Sequence, residues 1–232
     1  RYWIDPDPES ARGATDAVTD RVDDVSKWLW EPAWSALPTA AGAPLSGTWV
    51  VFFDELGVAS RLADRIRSAG GNVVEVHQGD AFSKLDRDRY VLAPELGREG
   101  YDALLADLAA AGHQLAGVVH GWLLTADRSF RPGSSFFHRC EEQGFFSLFF
   151  LAQALAAEEQ ADGVRVVVFT NDTAGPSDAS VCPEKATVLG PCLVMPRELP
   201  GLSCALGDLE TPAKPRSRRA RAALDRLADA AV

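Results

Sequence analysis

The residues best placed for chemistry close apolar runs. Asp54-Glu55 follows Thr48–Phe53, His120-Gly121 follows Leu115–Val119, and Asp208-Leu209 ends Leu202–Gly207. Paired acids after a first strand hold a cation in phospho-receiver domains. That chemistry also takes an Asp after the third strand and a Lys after the fifth, and His120 and Asp208 stand there instead. A solvated strand-end turn is the simpler reading of Asp54-Glu55. His120 reads as a structural imidazole packed under Trp122, because no Cys or Asp lies at a useful spacing. His138 and Cys140 are two residues apart, and such neighbours on a helix do not face each other. A thiol–imidazole pair is therefore not expected.

Motifs for nucleotide or acyl chemistry are missing. A dinucleotide site needs a G-x-G-x-x-G turn so that backbone can approach the pyrophosphate, and none of the 19 glycines has another two positions on. No Gly precedes a Lys, which excludes a P-loop, and no Gly-x-Ser-x-Gly elbow is present. Short-chain reductases use a Tyr with a Lys four residues later. Here Tyr2, Tyr90 and Tyr101 are followed at that spacing by Pro6, Pro94 and Leu105. The four cysteines, Cys140, Cys182, Cys192 and Cys204, form no C-x-x-C pair, so reduced thiols are expected.

The elements that must position these residues alternate regularly. Five apolar strands are expected at 48–54, 72–77, 115–120, 164–170 and 202–209. Helices are expected between them at 58–69, 97–111, 140–160 and 183–196, with Gly70-Gly71 and Gly112 as stops and Pro183 as a first residue. Residues 79–96 read as a loop holding Phe82, Leu85 and Tyr90. This order predicts an α/β fold: a truncated Rossmann-like, doubly wound, mostly parallel sheet of about five strands with helices on both faces. Phe145, Phe146, Phe149 and Phe150 recur at helical spacing, which core packing explains.

Outside the sheet, residues 1–27 are acidic and read as a linker. Trp28, Trp30 and Trp34 follow on a short expected strand, limited to an edge by Pro32, with Trp28 and Trp30 on one side. Residues 211–232 carry Arg216, Arg218, Arg219 and Arg221, then an amphipathic stripe of Ala220, Ala223, Leu224, Leu227 and Ala231. The chain has 232 residues, with 23 Lys and Arg against 33 Asp and Glu, a net charge of −10. That balance argues against nucleic-acid or anionic-membrane partners. Residues 144–157 are too few, and too polar at Gln153, to span a bilayer. Arg1–Pro8 offers no initiator Met and no signal core, and reads as the continuation of a longer chain.

Several segments together resemble type I modular polyketide synthases. Arg1-Tyr2-Trp3 is similar to the signature closing their acyltransferase region and linker. Gly144-Phe145-Phe146-Ser147-Leu148-Phe149-Phe150-Leu151-Ala152-Gln153-Ala154-Leu155 resembles a helix of their ketoreductase regions. Pro183-Glu184-Lys185-Ala186, Leu189-Gly190-Pro191-Cys192 through Pro200-Gly201, and Val118-Val119-His120-Gly121-Trp122 resemble further ketoreductase segments. Arg197 and Phe149 depart from the commoner residues without touching chemistry.

The resemblance is to the structural, non-catalytic first half of the ketoreductase. It implies a post-acyltransferase linker over 1–27 and a tryptophan-rich strand and loop over 28–47. A Rossmann-like subdomain would follow over 48–210 and a C-terminal linker or helix over 211–232. This half would hold no catalytic residue, cofactor or metal, while NADPH would sit on a second, catalytic half that reduces β-ketoacyl chains on an acyl carrier protein. Expected partners are that catalytic half, contacted through Trp28, Trp30 and Trp34, the neighbouring acyltransferase and linker, and the carrier protein. A cytoplasmic location follows. Two alternatives stay open: a degenerate remnant serving as spacer or interaction module, and a stand-alone α/β nucleotide-binding enzyme.

Overall fold

The computed structural model describes residues 24–28, 44–126, 135–173 and 181–209. The chain divides into two compact units, Arg1–Pro38 and Thr39–Val232. In the first, Val25–Trp28 is a 3₁₀ turn. Trp28 therefore does not open a strand, contrary to the alternation around it. The Asp24 carboxylate accepts the Ser26 backbone N–H at 3.1 Å and its hydroxyl at 2.7 Å, which draws the chain into a turn. Trp30 and Trp34 lie outside the described residues.

The described residues of the second unit hold a sheet of seven strands. These are β1 (Thr48–Phe52), β2 (Asn72–Gln78), β3 (Ser83–Asp86), β4 (Arg89–Leu92), β5 (Leu115–Leu123), β6 (Arg165–Thr170) and β7 (Ser203–Asp208). Six are parallel in the order β4-β2-β1-β5-β6-β7, and β3 adds an antiparallel edge beside β4. The strand order reverses between β1 and β5, the doubly wound arrangement whose crevice lies beyond the strands' carboxyl ends.

The expected fold stands, but the count of five strands is corrected to seven. The hairpin of β3 and β4 falls where a loop was expected. All four residues of β3 are exposed, and β4 offers only Tyr90 and Leu92 to the core. Two four-residue strands with so few buried side chains leave no readable alternation.

Helix α1 (Val58–Ser68) buries Leu62 and Ile66 against Trp49, Val51 and Val73 on one side of the sheet. Each such side chain contributes about 1.5–3 kcal/mol on burial. The helix stops where the Gly70 N–H bonds to Arg67 O and the Gly71 N–H to Ile66 O, with Gly70 at φ +86°. That left-handed position suits glycine.

The other side carries α2 (Glu99–Ala110), α3 (Ser135–Cys140), α4 (Ser147–Ala157) and α5 (Leu189–Glu198) over a core that includes Phe52, Tyr101, Leu104, Trp122 and Leu151. The expected single helix over 140–160 is broken: a π-helical turn, Glu141–Phe146, joins α3 to α4. Gly144 explains its position. A β-carbon there would stand 2.6 Å from Leu123 Cδ1 and 2.7 Å from Val188 Cγ1, so only glycine lets this turn approach β5. A 3₁₀ turn, Pro183–Val188, precedes α5.

Candidate functional site

The chain's own polar side chains stand at the carboxyl ends of the described strands. Asp54, just beyond β1, turns its carboxylate onto the first turn of α1. It accepts backbone N–H groups of Leu56 at 2.8 Å, Val58 at 3.1 Å and Ala59 at 2.6 Å. A helix start of this kind is where a Rossmann fold receives a pyrophosphate. Here a resident carboxylate takes those donors. Burial pushes the Asp54 carboxyl above the usual carboxylate range, against the pull of the three N–H groups. Gly121 on β5 packs against the same place, since a β-carbon on it would lie 2.9 Å from Phe52 O and 3.3 Å from Asp54 Cβ. A dinucleotide phosphate does not fit these residues: its charge would meet the Asp54 carboxylate.

His120 is fully buried. Its ring lies 4.8 Å from that of Phe52 and 5.6 Å from that of Trp122, and its Nε2 is 2.8 Å from Ser147 Oγ. Burial pushes its pKa down to about 3. The imidazole is thus neutral near pH 7, a packed core group as expected beside Trp122.

Beyond β6 lies a second polar cluster that sequence reasoning passed over. Lys185 is 1% exposed, and its Nζ donates to Asn171 Oδ1 at 2.7 Å and to Asn171 O at 3.2 Å. Asn171 Oδ1 also accepts the Thr125 N–H, and its Nδ2 donates to Thr125 O. The cluster ties the end of β6 to the segment after β5. Burial lowers the Lys185 pKa. Burial raises the thiols of Cys140 and Cys182 to about 12 and about 11. Both thiols therefore stay protonated, the unreactive form. Among the described residues, no group of three or more His, Cys, Asp and Glu is arranged to hold a metal ion.

The surface that invites a partner lies on α4 and α5. Helix α4 buries Leu148, Leu151, Ala154 and Leu155, yet Phe149 is 43% exposed and Phe146, at the end of the π turn, is 38% exposed. The four phenylalanines are thus not all core. Residues at i, i+1, i+4 and i+5 cover too wide an arc of a helix to bury on one side. They form a ladder instead. Phe145 stacks on Phe149 with centroids 6.3 Å apart, and Phe146 on Phe150 at 6.0 Å. Next to them α5 exposes Leu189, Leu193 and Val194. Between the two helices runs an apolar groove of about 440 Å³, lined by Phe145, Phe149, Val194, Met195 and Leu199 among others. A contiguous apolar surface of this kind marks an interaction site. The sequence carried a signal for it: apolar residues on nearly every side of a helix that has only one sheet to pack on.

Of the three tryptophans expected to form an interface, Trp28 sits in the 3₁₀ turn and the others lie outside the described residues. Among the described residues, no helix is long and apolar enough to cross a membrane.

Comparison with known proteins places this geometry. The model of the family described as beta-ketoacyl synthase-like, N-terminal, matches residues 48–186. Among solved structures, the chain is similar to a keto acid-selecting NRPS module containing adenylation and ketoreductase domains. That match has a TM-score of 0.69 and 24% identity, over 83% of this chain and 16% of the other. An N-terminal ketoreductase from the macrolactin assembly line gives a TM-score of 0.64 at 15% identity, over 82% of this chain and 38% of the other. A C2-type ketoreductase from a modular polyketide synthase gives 0.52 at 28% identity, over 82% and 36%. The chain thus spans less than two-fifths of each of these proteins. None of the curated proteins matches it. The chain belongs to the beta-ketoacyl synthase-like, N-terminal domain family, and its structural neighbours are ketoreductase regions of modular synthases.

Proposed function

We propose that this chain is the structural half of a ketoreductase region in a type I modular polyketide synthase. It docks and stabilises an NADPH-dependent half that reduces β-ketoacyl chains on an acyl carrier protein. The observation that carries the reading is the exposed ladder of Phe146 and Phe149 beside Leu193 and Val194. Left in water, such a surface costs stability and solubility, and covering it with a neighbouring apolar face recovers both. The occupant we assign is the catalytic half, because more than three-fifths of each ketoreductase-containing neighbour lies outside the part this chain matches.

The crevice supports a non-catalytic role. Asp54 takes the donors a phosphate would use, and Lys185 is committed to Asn171. On this reading Trp28, Trp30 and Trp34 add a second contact to the same partner, and the acyltransferase and carrier protein are neighbours in the synthase.

Sedimentation of this chain with the separately purified catalytic half tests the proposal. A one-to-one complex is expected, with NADPH bound by the catalytic half and not by this chain alone. Micromolar NADPH binding by this chain in isolation would favour a stand-alone nucleotide-binding enzyme.

A further inference from the structure

Helix α5 is weak by its own sequence. Its ten residues include Gly190 and, in the last turn, Pro196, and no side chain caps its start. Glycine lowers helix propensity, and an interior proline removes a backbone hydrogen bond. The helix is held instead by packing on β7, and the residues it buries are Pro191, Cys192 and Met195. On the strand, Cys204 pairs with Val166 of β6. Paired residues of neighbouring strands share a face. Val166 lies in the same core as Cys192, so Cys204 faces the helix. The two thiols meet there, with Cys192 donating its S–H to the Cys204 sulfur. Cys192 is buried, whereas Cys204 is half-buried between the exposed Ser203 and Ala205. Cys182, by contrast, donates to the Glu184 carboxylate at 3.2 Å.

We propose that Cys192 and Cys204 are a modification site: hydrogen peroxide joins them in a reversible disulfide that clamps α5 to β7. The two thiols have different roles. The hydrogen bond from Cys192 lowers the Cys204 pKa against the effect of burial, so the more accessible thiol is the one that ionises. The same bond, together with burial, raises the Cys192 pKa, so that thiol keeps its proton until the second step. In the first step the Cys204 thiolate attacks one peroxide oxygen. An S–O bond forms, the O–O bond breaks, and the departing hydroxide takes up the proton that Cys204 released. In the second step the Cys192 sulfur attacks the Cys204 sulfenic acid. The S–S bond forms, the S–O bond breaks, and the departing hydroxide leaves as water with the Cys192 proton. Two thiols are oxidised by two electrons, and one peroxide is reduced to two waters. The link closes the short loop 193–203, which limits how far α5 can leave the strand. It also fixes the wall that carries Leu193 and Val194, and it does not depend on which partner that wall meets.

Two measurements on the full chain test it. In the first, the reduced chain is treated with hydrogen peroxide, its remaining thiols are blocked with maleimide, and it is cut with trypsin. Cleavage after Arg197 separates the two cysteines, so only a disulfide can hold their peptides together. Mass spectrometry should find that linked pair, two hydrogens lighter than the sum of its parts and released by dithiothreitol. Maleimide on both Cys192 and Cys204, a Cys204 sulfinic acid without the link, or a different cysteine pairing overturns the proposal. In the second, hydrogen exchange over Leu189–Glu198 is compared before and after oxidation. It should slow at least about tenfold and recover with dithiothreitol. The Cys204→Ser chain should show no such response to peroxide. Equal exchange in the linked and reduced forms of the unaltered chain overturns the clamp.

Discussion

The Asp54 carboxylate and the Ala59 backbone N–H meet at 2.6 Å, where α1 begins. This contact turns a helix start that could receive a phosphate into one that is internally capped. The capping has a measurable cost of removal. Asp54→Ala strips three N–H groups of their acceptor and is expected to destabilise the domain by about 1–2 kcal/mol. Asp54→Asn keeps one acceptor oxygen and should lose about half as much. Urea unfolding of the two variants checks the order.

His120 makes stability fall in acid. Its pKa is about 3 in the folded chain, against an ordinary value of 6.5. Between those values the unfolded chain binds a proton that the folded chain refuses. Stability is therefore highest above pH 6.5 and is lost as pH falls, at about 1.4 kcal/mol per pH unit. From pH 6.5 to 4.5 the expected loss from this group is about 2–3 kcal/mol. His120→Gln keeps a polar partner for Ser147 and does not titrate. Its stability profile should be flatter by that amount, and parallel profiles for the two proteins would remove His120 from the account.

Gly144 is where the π turn meets the sheet. Gly144→Ala drives a methyl group against Leu123 and Val188, both fully buried. Overpacking of this kind costs about 1–3 kcal/mol. Thermal melting should register a fall of several degrees, and an unchanged melting temperature would mean the turn can back away from β5.

Much of this was legible in the sequence, for physical reasons that also set the limit. Buried parallel strands such as Val50-Val51-Phe52 and Val166-Val167-Val168 are continuous apolar runs, so the doubly wound core could be read directly. The β3–β4 hairpin was not legible, because Ser83–Asp86 buries nothing. His120 was placed correctly as a packed residue by its neighbour Trp122. The Asp54 carboxylate was located at its strand end but not as a cap, because its partners are backbone N–H groups that carry no residue code. Lys185 was hidden for a related reason: lysine is almost never fully buried, and only the fold brings Asn171 to it. The phenylalanines illustrate the opposite failure. Helical spacing shows that residues share an arc, and it does not show whether that arc meets the sheet or the solvent.

The central claim is that α4 and α5 form the docking face for the catalytic half. Its most direct test compares the affinity of that half for the unaltered chain and for the double variant Phe149→Asp, Leu193→Asp. Leu193 is 62% exposed and Phe149 43% exposed, so the variant should still fold, with the ring contacts of Phe149 to Phe145 and Phe150 as the packing lost. Interface anchors of this type contribute about 2 kcal/mol or more each. Binding should weaken about 100-fold or beyond. Equal dissociation constants for two well-folded proteins would contradict it.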